Sequence, residues 1–342
     1  MSGTLEERTH AMQRWAHLDL CTGMRRFIAE VEAVYAGIDE AQPIAGQRRT
    51  YEEMAQRFTR RRPAGVRTRD TLIALGSPNP LRVRFYEPAD LPEGPAPALI
   101  YFHGGGFALG SIESHDCVVA ELALATSSVA ISVDYRLAPE HPFPAAFDDA
   151  FGLWAHLSAH PASFGIDLTR TVLAGDSAGA ALAVAVCLEA RNKRLPMPAG
   201  QLLIYPALSA VGGLPSYSDN AIAPMLTTPG LAYFWRLYTG GGEAALDPRA
   251  APLAASDFSR LPPAYIATAR YDPCRDDGAV YADSLRNAGV PVEYRCANRL
   301  AHGYLRARSL SPAAAAEFAA MCEGARAMQR RAGDLLAPRD AA

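Results

Sequence analysis

With 342 residues, the chain is long enough for one large domain plus a smaller accessory element around a substantial core. A net charge of −3 and a pI near 6.3 argue against nucleic acid or an anionic membrane surface as partner. The first thirty residues carry Glu6, Glu7, Arg8, Arg14 and Asp19 without an apolar stretch of signal-peptide length. No run of ~18 apolar residues suggests a transmembrane helix. Six cysteines (Cys21, Cys117, Cys187, Cys274, Cys296 and Cys322) are scattered without paired spacing, as expected of free thiols in a reducing compartment. These features predict a cytoplasmic protein with no stable membrane anchor.

In chain order, Met12, Trp15, Met24, Phe27, Ile28, Val31, Val34 and Tyr35 recur at helical spacing. A second helical stretch around Tyr51, Met54 and Phe58 should stop before Pro63, and the run Arg60-Arg61-Arg62 reads as a solvated face. From about residue 68 the pattern changes to short strands, expected at 68–75, 81–87, 97–102, 128–133, 170–174, 201–205, 263–268 and 291–296. Helical segments separate most of them from the third onward, which predicts an α/β fold with a mostly parallel eight-stranded sheet flanked by helices. An interruption at about 208–250 contains Thr228-Pro229, a helix start with threonine as cap and proline at the first position. Leu231, Phe234, Trp235 and Tyr238 then form an aromatic-rich stripe.

Two segments carry chemistry. Thr171 to Ala174 reads as a buried strand, Ala178 to Arg194 as a helix, and Gly175-Asp176-Ser177-Ala178-Gly179 joins them. A serine on a strand-to-helix turn is a nucleophile elbow: its strained backbone lifts the hydroxyl above the sheet edge, and small flanking residues let strand and helix pack closely. Upstream, the strand Ala98 to Phe102 runs into His103-Gly104-Gly105-Gly106-Phe107. Glycines there free backbone amides to hold a developing oxyanion, together with the amide of Ala178 after the nucleophile. The candidate oxyanion donors are Gly104, Gly105 and Ala178. No Gly-Lys-Ser/Thr follows, which excludes a P-loop.

His103-Gly104-Gly105-Gly106, Asp134 to Glu140 with His141 to Ala145, Gly175 to Gly179, Asp272-Pro273 with Asp276, and His302-Gly303-Tyr304 together resemble the hormone-sensitive-lipase-like family of α/β-hydrolases, in that family's order. The resemblance covers the chain from about residue 70 to the C-terminal helix. It implies an α/β-hydrolase fold, a serine carboxylesterase or lipase mechanism, and a lid over the site. The lid is expected from residues 1–60 and the insertion 208–246, and the core from 61–207 and 247–342.

A serine hydroxyl needs a base within hydrogen-bond reach and a third group to orient that base. The fold's order is serine, acid, histidine. His156 and His160 precede the elbow on a helical stretch and read as surface residues, whereas His302 follows a strand and is flanked by Gly303, so His302 is the expected base. Asp272, Asp276 and Asp277 all follow the strand Ala264 to Thr268. Asp272, at the strand's end before Pro273, is best placed to turn inward, and the family pattern puts the acid there; Asp276 is better suited to capping the next helix or tying down the loop. Asp134 to Pro144 should lock the loop beneath the oxyanion turn, with His103 bracing that loop. Asp176 either braces the elbow or lies at the surface.

Three positions depart from the family pattern: Ala180 for a third elbow glycine, and Arg270 and Cys274 for the usual glutamate and leucine around Asp272. Arg270 could lower the acid's pKa or alter the pocket rim, and Cys274 puts an oxidisable thiol close by. The expected partner is a small-molecule ester, with a homodimer possible. Neither cofactor nor metal is expected, because no His/Cys cluster has ligand spacing. An amide hydrolase would use the same residues. A non-catalytic receptor of this fold would keep the elbow and lose the histidine, so His302 favours turnover.

Overall fold

The computed structural model describes residues 14–38, 42–59, 61–76, 80–91 and 93–336. Met12, Arg60 and the first thirteen residues of the expected N-terminal lid segment lie outside them.

Eight strands form one sheet: β1 (Val66–Ile73), β2 (Leu81–Pro88), β3 (Ala96–Phe102), β4 (Val129–Val133), β5 (Ile166–Asp176), β6 (Gly200–Ile204), β7 (Ala264–Tyr271) and β8 (Val292–Ala301). Their spatial order is β1-β2-β4-β3-β5-β6-β7-β8. The pairs β1–β2 and β2–β4 are antiparallel and the remaining five are parallel. Central strands are buried on both faces, which is why they read as unbroken apolar runs. In β3, Ala98, Ile100 and Phe102 join the core on one face, and Leu99 and Tyr101 the core on the other.

Nine helices are described: α1 (Thr22–Tyr35), α2 (Ile44–Phe58), α3 (Ile112–Thr126), α4 (Ala145–Ala159), α5 (Ala178–Asn192), α6 (Pro215–Asp219), α7 (Thr228–Thr239), α8 (Arg275–Asn287) and α9 (Pro312–Leu336). Helices α4, α5 and α8 cover one face of the sheet, and α1, α3 and α9 the other. None of the described helices is long and apolar enough to cross a membrane.

The strand bounds differ from the expected ones where the polar pattern hides pairing. β8 runs on to Ala301 instead of ending near 296, because Tyr271 pairs with Ala301 past an irregularity, while exposed Asn298 and Arg299 mask the strand in the sequence. That extension delivers His302 to the same sheet edge as Ser177. The start of α7 also shifts: Thr227, not Thr228, is the cap, its hydroxyl accepting from the Gly230 amide at 3.1 Å, and the Thr228 hydroxyl donates instead to the Tyr217 carbonyl.

Helices α1, α2 and α7 stand over the C-terminal edge of the parallel strands, where α/β sheets place their ligands. Gln47 on α2 donates to the Tyr233 hydroxyl on α7 at 2.9 Å, so the N-terminal segment and the insertion meet directly. Arg48 fastens α2 to the core through the carbonyls of Ala108 (2.8 Å) and Ala138 (2.9 Å) and the carboxylate of Glu140.

Candidate active site

Ser177 alone makes the turn from β5 to α5, with φ +53° and ψ −118°. Backbone of this kind costs a non-glycine residue about 1–3 kcal/mol and persists only where its surroundings over-determine it. Here the Ser177 amide donates to the Ile204 carbonyl (2.9 Å), and its own carbonyl accepts from Ala180 (3.1 Å). The helix then passes so close to β3 that a Cβ on Gly179 would lie 1.9 Å from the Phe102 carbonyl oxygen. Ala180, fully buried, is accommodated without a third glycine.

Three residues from three strand ends converge. His302 Nε2 lies 3.0 Å from Ser177 Oγ, and its Nδ1 lies 2.7 Å from Asp272 Oδ2. With Nδ1–H donating to the buried carboxylate, Nε2 is left to accept the serine proton, the tautomer a general base requires. The second Asp272 oxygen accepts the Cys274 amide at 2.8 Å, and Asn220 donates to the Asp272 carbonyl at 3.0 Å. Asp276 stands apart: its carboxylate accepts the Ser216 amide and pairs with Arg275, tying α6 to α8. Asp277 is buried and accepts the amides of Leu208 and Ser209 and the Tyr217 hydroxyl, where the chain leaves β6 for the insertion. Burial pushes its carboxyl up to about 7 against those three donors.

The glycine loop corrects one expectation. The Gly104 amide is spent on Asp176 Oδ1 at 2.8 Å and is not free to hold an oxyanion. Among the described residues, the amides of Gly105 and Gly106, and that of Ala178 at the first position of α5, have no acceptor. Gly106, which the sequence reading passed over although it completes the run, takes φ +61°, and a Cβ there would lie 2.4 Å from the Phe234 ring. Only glycine meets both demands.

Asp176 is the brace beneath both motifs and not a surface residue. It is 5% exposed and also accepts from Tyr101 (2.7 Å) and Tyr205 (3.4 Å). Burial works to raise its pKa, but His115, Tyr101 and Arg306 together hold it well below the ordinary carboxylate range. His103 braces the loop as expected. Its Nδ1 lies 2.9 Å from the Gly104 carbonyl, Tyr135 stacks on its ring and donates to its carbonyl, and burial lowers its pKa to about 3. The Asp134 to Pro144 segment closes underneath through the Ala138 amide on the Phe107 carbonyl at 2.9 Å.

Arg270 is exposed, with its guanidinium over the Tyr271 ring, and neither pairs with Asp272 nor lines the cavity. The Cys274 thiol is fully buried, and burial followed by the neighbouring Asp272 charge pushes its pKa well up, which disfavours the reactive thiolate. Folding does bring potential ligand atoms of Asp272, Cys274 and His302 within 4.8 Å of one another, a cluster invisible in linear spacing. Their chemistry suits hydrogen bonding better, since Asp272 and His302 already hold each other and the thiol keeps its proton.

A cavity of about 730 Å³ opens over Ser177 and His302. Its apolar walls include Val31, Met54, Leu226, Leu231, Phe234 and Trp235, so α1, α2 and α7 all contribute. Tyr238 of the stripe does not line it, being buried and stacked on Phe107 with ring centroids 3.8 Å apart. Sequence reasoning also missed His115, Tyr51 and Arg306, which meet beside Asp176 from three separate elements; no local pattern links them.

Residues 99–306 match the family defined by the alpha/beta hydrolase fold. The chain belongs to the α/β-hydrolases, in their hormone-sensitive-lipase-like branch. It is 42% identical over 259 residues to the Esterase LipI of Mycobacterium tuberculosis, covering 74% of this chain and 80% of that protein. It is 37% identical over 232 residues to an ethyl acetate hydrolase of Pseudomonas putida, covering 67% and 73%. Among solved structures, an α/β-hydrolase enzyme from the metagenome of Lake Arreo, Spain, superposes with a TM-score of 0.84 at 35% identity, covering 92% of this chain and 99% of that one.

Proposed function

We propose that this protein is a serine carboxylesterase that hydrolyses short- to medium-chain acyl esters of small molecules through an acyl-enzyme. Its relatives are named as ester hydrolases, which supports the class. The mechanism rests above all on one observation: the unbroken hydrogen-bond chain Ser177–His302–Asp272, at 3.0 and 2.7 Å, at the floor of a largely apolar cavity.

His302 Nε2 takes the Ser177 proton as Oγ attacks the ester carbonyl, and Asp272 stabilises the imidazolium that forms. The amides of Gly105, Gly106 and Ala178 receive the oxyanion. Because Asp176 and Gly104 hold the loop in place beforehand, little reorganisation accompanies charge development. His302 then gives its proton to the departing alcoholate, leaving Ser177 acylated. A water molecule, deprotonated by the same nitrogen, attacks the acyl carbonyl, and collapse of that second tetrahedral species returns the proton to Ser177 Oγ. Helices from residues 1–60 and 208–246 act as a cap over a core made of 61–207 and 247–342, and their side chains select the ester. Apolar contacts discriminate by only about 1–3 kcal/mol per methylene, so chain-length preference is graded.

The test is covalent capture. Incubation with a p-nitrophenyl phosphonate should release one equivalent of p-nitrophenol and leave the phosphonyl mass on the peptide containing Ser177. Modification elsewhere, or undiminished ester turnover after full labelling, would overturn the reading.

A further inference from the structure

Arg306 lies four residues after His302, on the short 3-10 turn Tyr304–Ser309, and lines the same cavity as Ser177. Its half-buried guanidinium lies over the Tyr51 ring, 5.4 Å from the centroid. It donates to the Ser114 carbonyl (2.6 Å), the Tyr51 hydroxyl (3.2 Å) and His115 Nε2 (3.1 Å). None of the three acceptors is a carboxylate, and burial, then the Arg306 charge, lowers the pKa of His115. Among the described residues no carboxylate forms an ion pair with Arg306, and its Nε–H has no acceptor. Arg308, two residues on, differs: it pairs with Glu121 at 2.8 Å.

Arg306 is half-buried, and a partly desolvated cation without a paired anion is kept only where something offsets the cost. Asp176 does so at one remove. It stands 3.5 Å beyond His115 Nε2, and its oxygens are committed to Gly104, Tyr101 and Tyr205. Glu32, also on the cavity wall, is engaged by Trp15 and Arg14. The Tyr51 hydroxyl accepts from Arg306 and has no acceptor for its own proton among the described residues. The cavity over Ser177 is therefore also lined by a planar cation with a spare donor and an adjoining phenol with another, a donor set that suits a carboxylate.

We propose that Arg306 and Tyr51 form a carboxylate-recognition subsite of the substrate cavity, so that the preferred substrates are esters bearing a second, ionised carboxyl group. The half-esters of short dicarboxylic acids are the simplest of these. The proposal rests on the ester-hydrolase reading and narrows its substrate class.

The experiment compares each charged ester with a neutral isostere at fixed ionic strength, following proton release in a pH-stat. Monoethyl succinate against ethyl 4-oxopentanoate puts the carboxylate on the acyl side; 3-acetoxypropanoate against 4-acetoxybutan-2-one puts it on the alcohol side. The readout is the ratio of kcat/KM within each pair, which is insensitive to how much of a preparation is folded. The wild type should favour the charged member of one pair by on the order of tenfold or more, mainly through KM. Arg306→Gln should bring that ratio close to one, and Tyr51→Phe should lower it several-fold. A wild type that prefers the neutral member of both pairs would refute the subsite. So would ratios unchanged in both variants, and a uniform loss on charged and neutral esters alike would make Arg306 a support for Asp176 instead. If the wild type hydrolysed none of the four esters nor p-nitrophenyl butyrate, the ester-hydrolase reading itself would fall.

Discussion

The sheet edge that carries Ser177 and the helices that roof it are held together in different ways. At the edge, polar groups are buried and tied several times over: Asp176, 5% exposed, accepts from three donors, and Asp272, fully buried, takes both the His302 ring and the Cys274 amide. The roof is half-open. Tyr35, Ile38 and Ile222 are 36%, 38% and 74% exposed, and among the described residues its two segments are joined by the hydrogen bond from Gln47 to Tyr233. A reacting geometry has to be kept within tenths of an ångström, so it is built from over-determined strand ends. Selecting a substrate would need only contact area, which the apolar residues of the roof offer.

That contrast can be broken by experiment, most severely at the nucleophile. Ser177→Ala should reduce ester hydrolysis by about 10⁴-fold or more, because nucleophile and base act as a unit; a variant keeping a tenth of the wild-type rate would dissolve the distinction between edge and roof. The two aspartates sharpen it next. Asp272→Asn should cost on the order of 10³–10⁴ in kcat by favouring the wrong His302 tautomer. Asp276→Asn, which loosens only the clamp on α6, should cost far less, and the reverse ranking in parallel kinetics would move the acid into the roof's anchor.

Gly106→Ala tests the seam between the regions, since the new methyl would strain the loop and collide with Phe234. Displacing one oxyanion donor should lower kcat by roughly 10²-fold with a smaller change in KM; an unchanged kcat would remove Gly106 from the oxyanion site.

The smallest effect concerns Asp277, which anchors the start of the insertion. Its carboxyl, at about 7 when folded, sits above the ordinary aspartate value of 3.8, so the folded state binds the proton more tightly. The stability this contributes is complete below the unfolded pKa and is lost as pH rises through about 7. Thermal melts from pH 5 to 8 should show the wild-type Tm falling relative to that of Asp277→Asn. A difference that is flat with pH, or grows, would contradict the raised value.

Much of the candidate site's edge was legible in the sequence, because its constraints are local. Glycine at 175 and 179, three glycines after an apolar strand, and an aspartate and a histidine each just past a strand are written where they act. Fold class followed for a similar reason: strands buried on both faces must be apolar along their whole length. One error lay where a backbone group had two possible partners. Gly104 looked as available as Gly105 until the fold put the Asp176 carboxylate 2.8 Å from its amide.

The roof was legible only as helical stripes. Periodicity marks one face of a helix as apolar but not what that face meets, so Phe234 and Tyr238 read alike although one lines the cavity and the other is stacked in the core. The meeting of Tyr51, His115 and Arg306 was beyond sequence altogether. They lie 64 and 191 residues apart along the chain (115 − 51 and 306 − 115), on elements that become neighbours only when the sheet closes. From the sequence come the α/β architecture and the three residues that meet at Ser177, since both follow from short-range geometry. Tertiary structure decided which amides stay free, which aromatic rings line the cavity, and that a half-buried guanidinium shares the cavity of Ser177 with no carboxylate paired to it among the described residues, because each of these depends on contacts between segments distant along the chain.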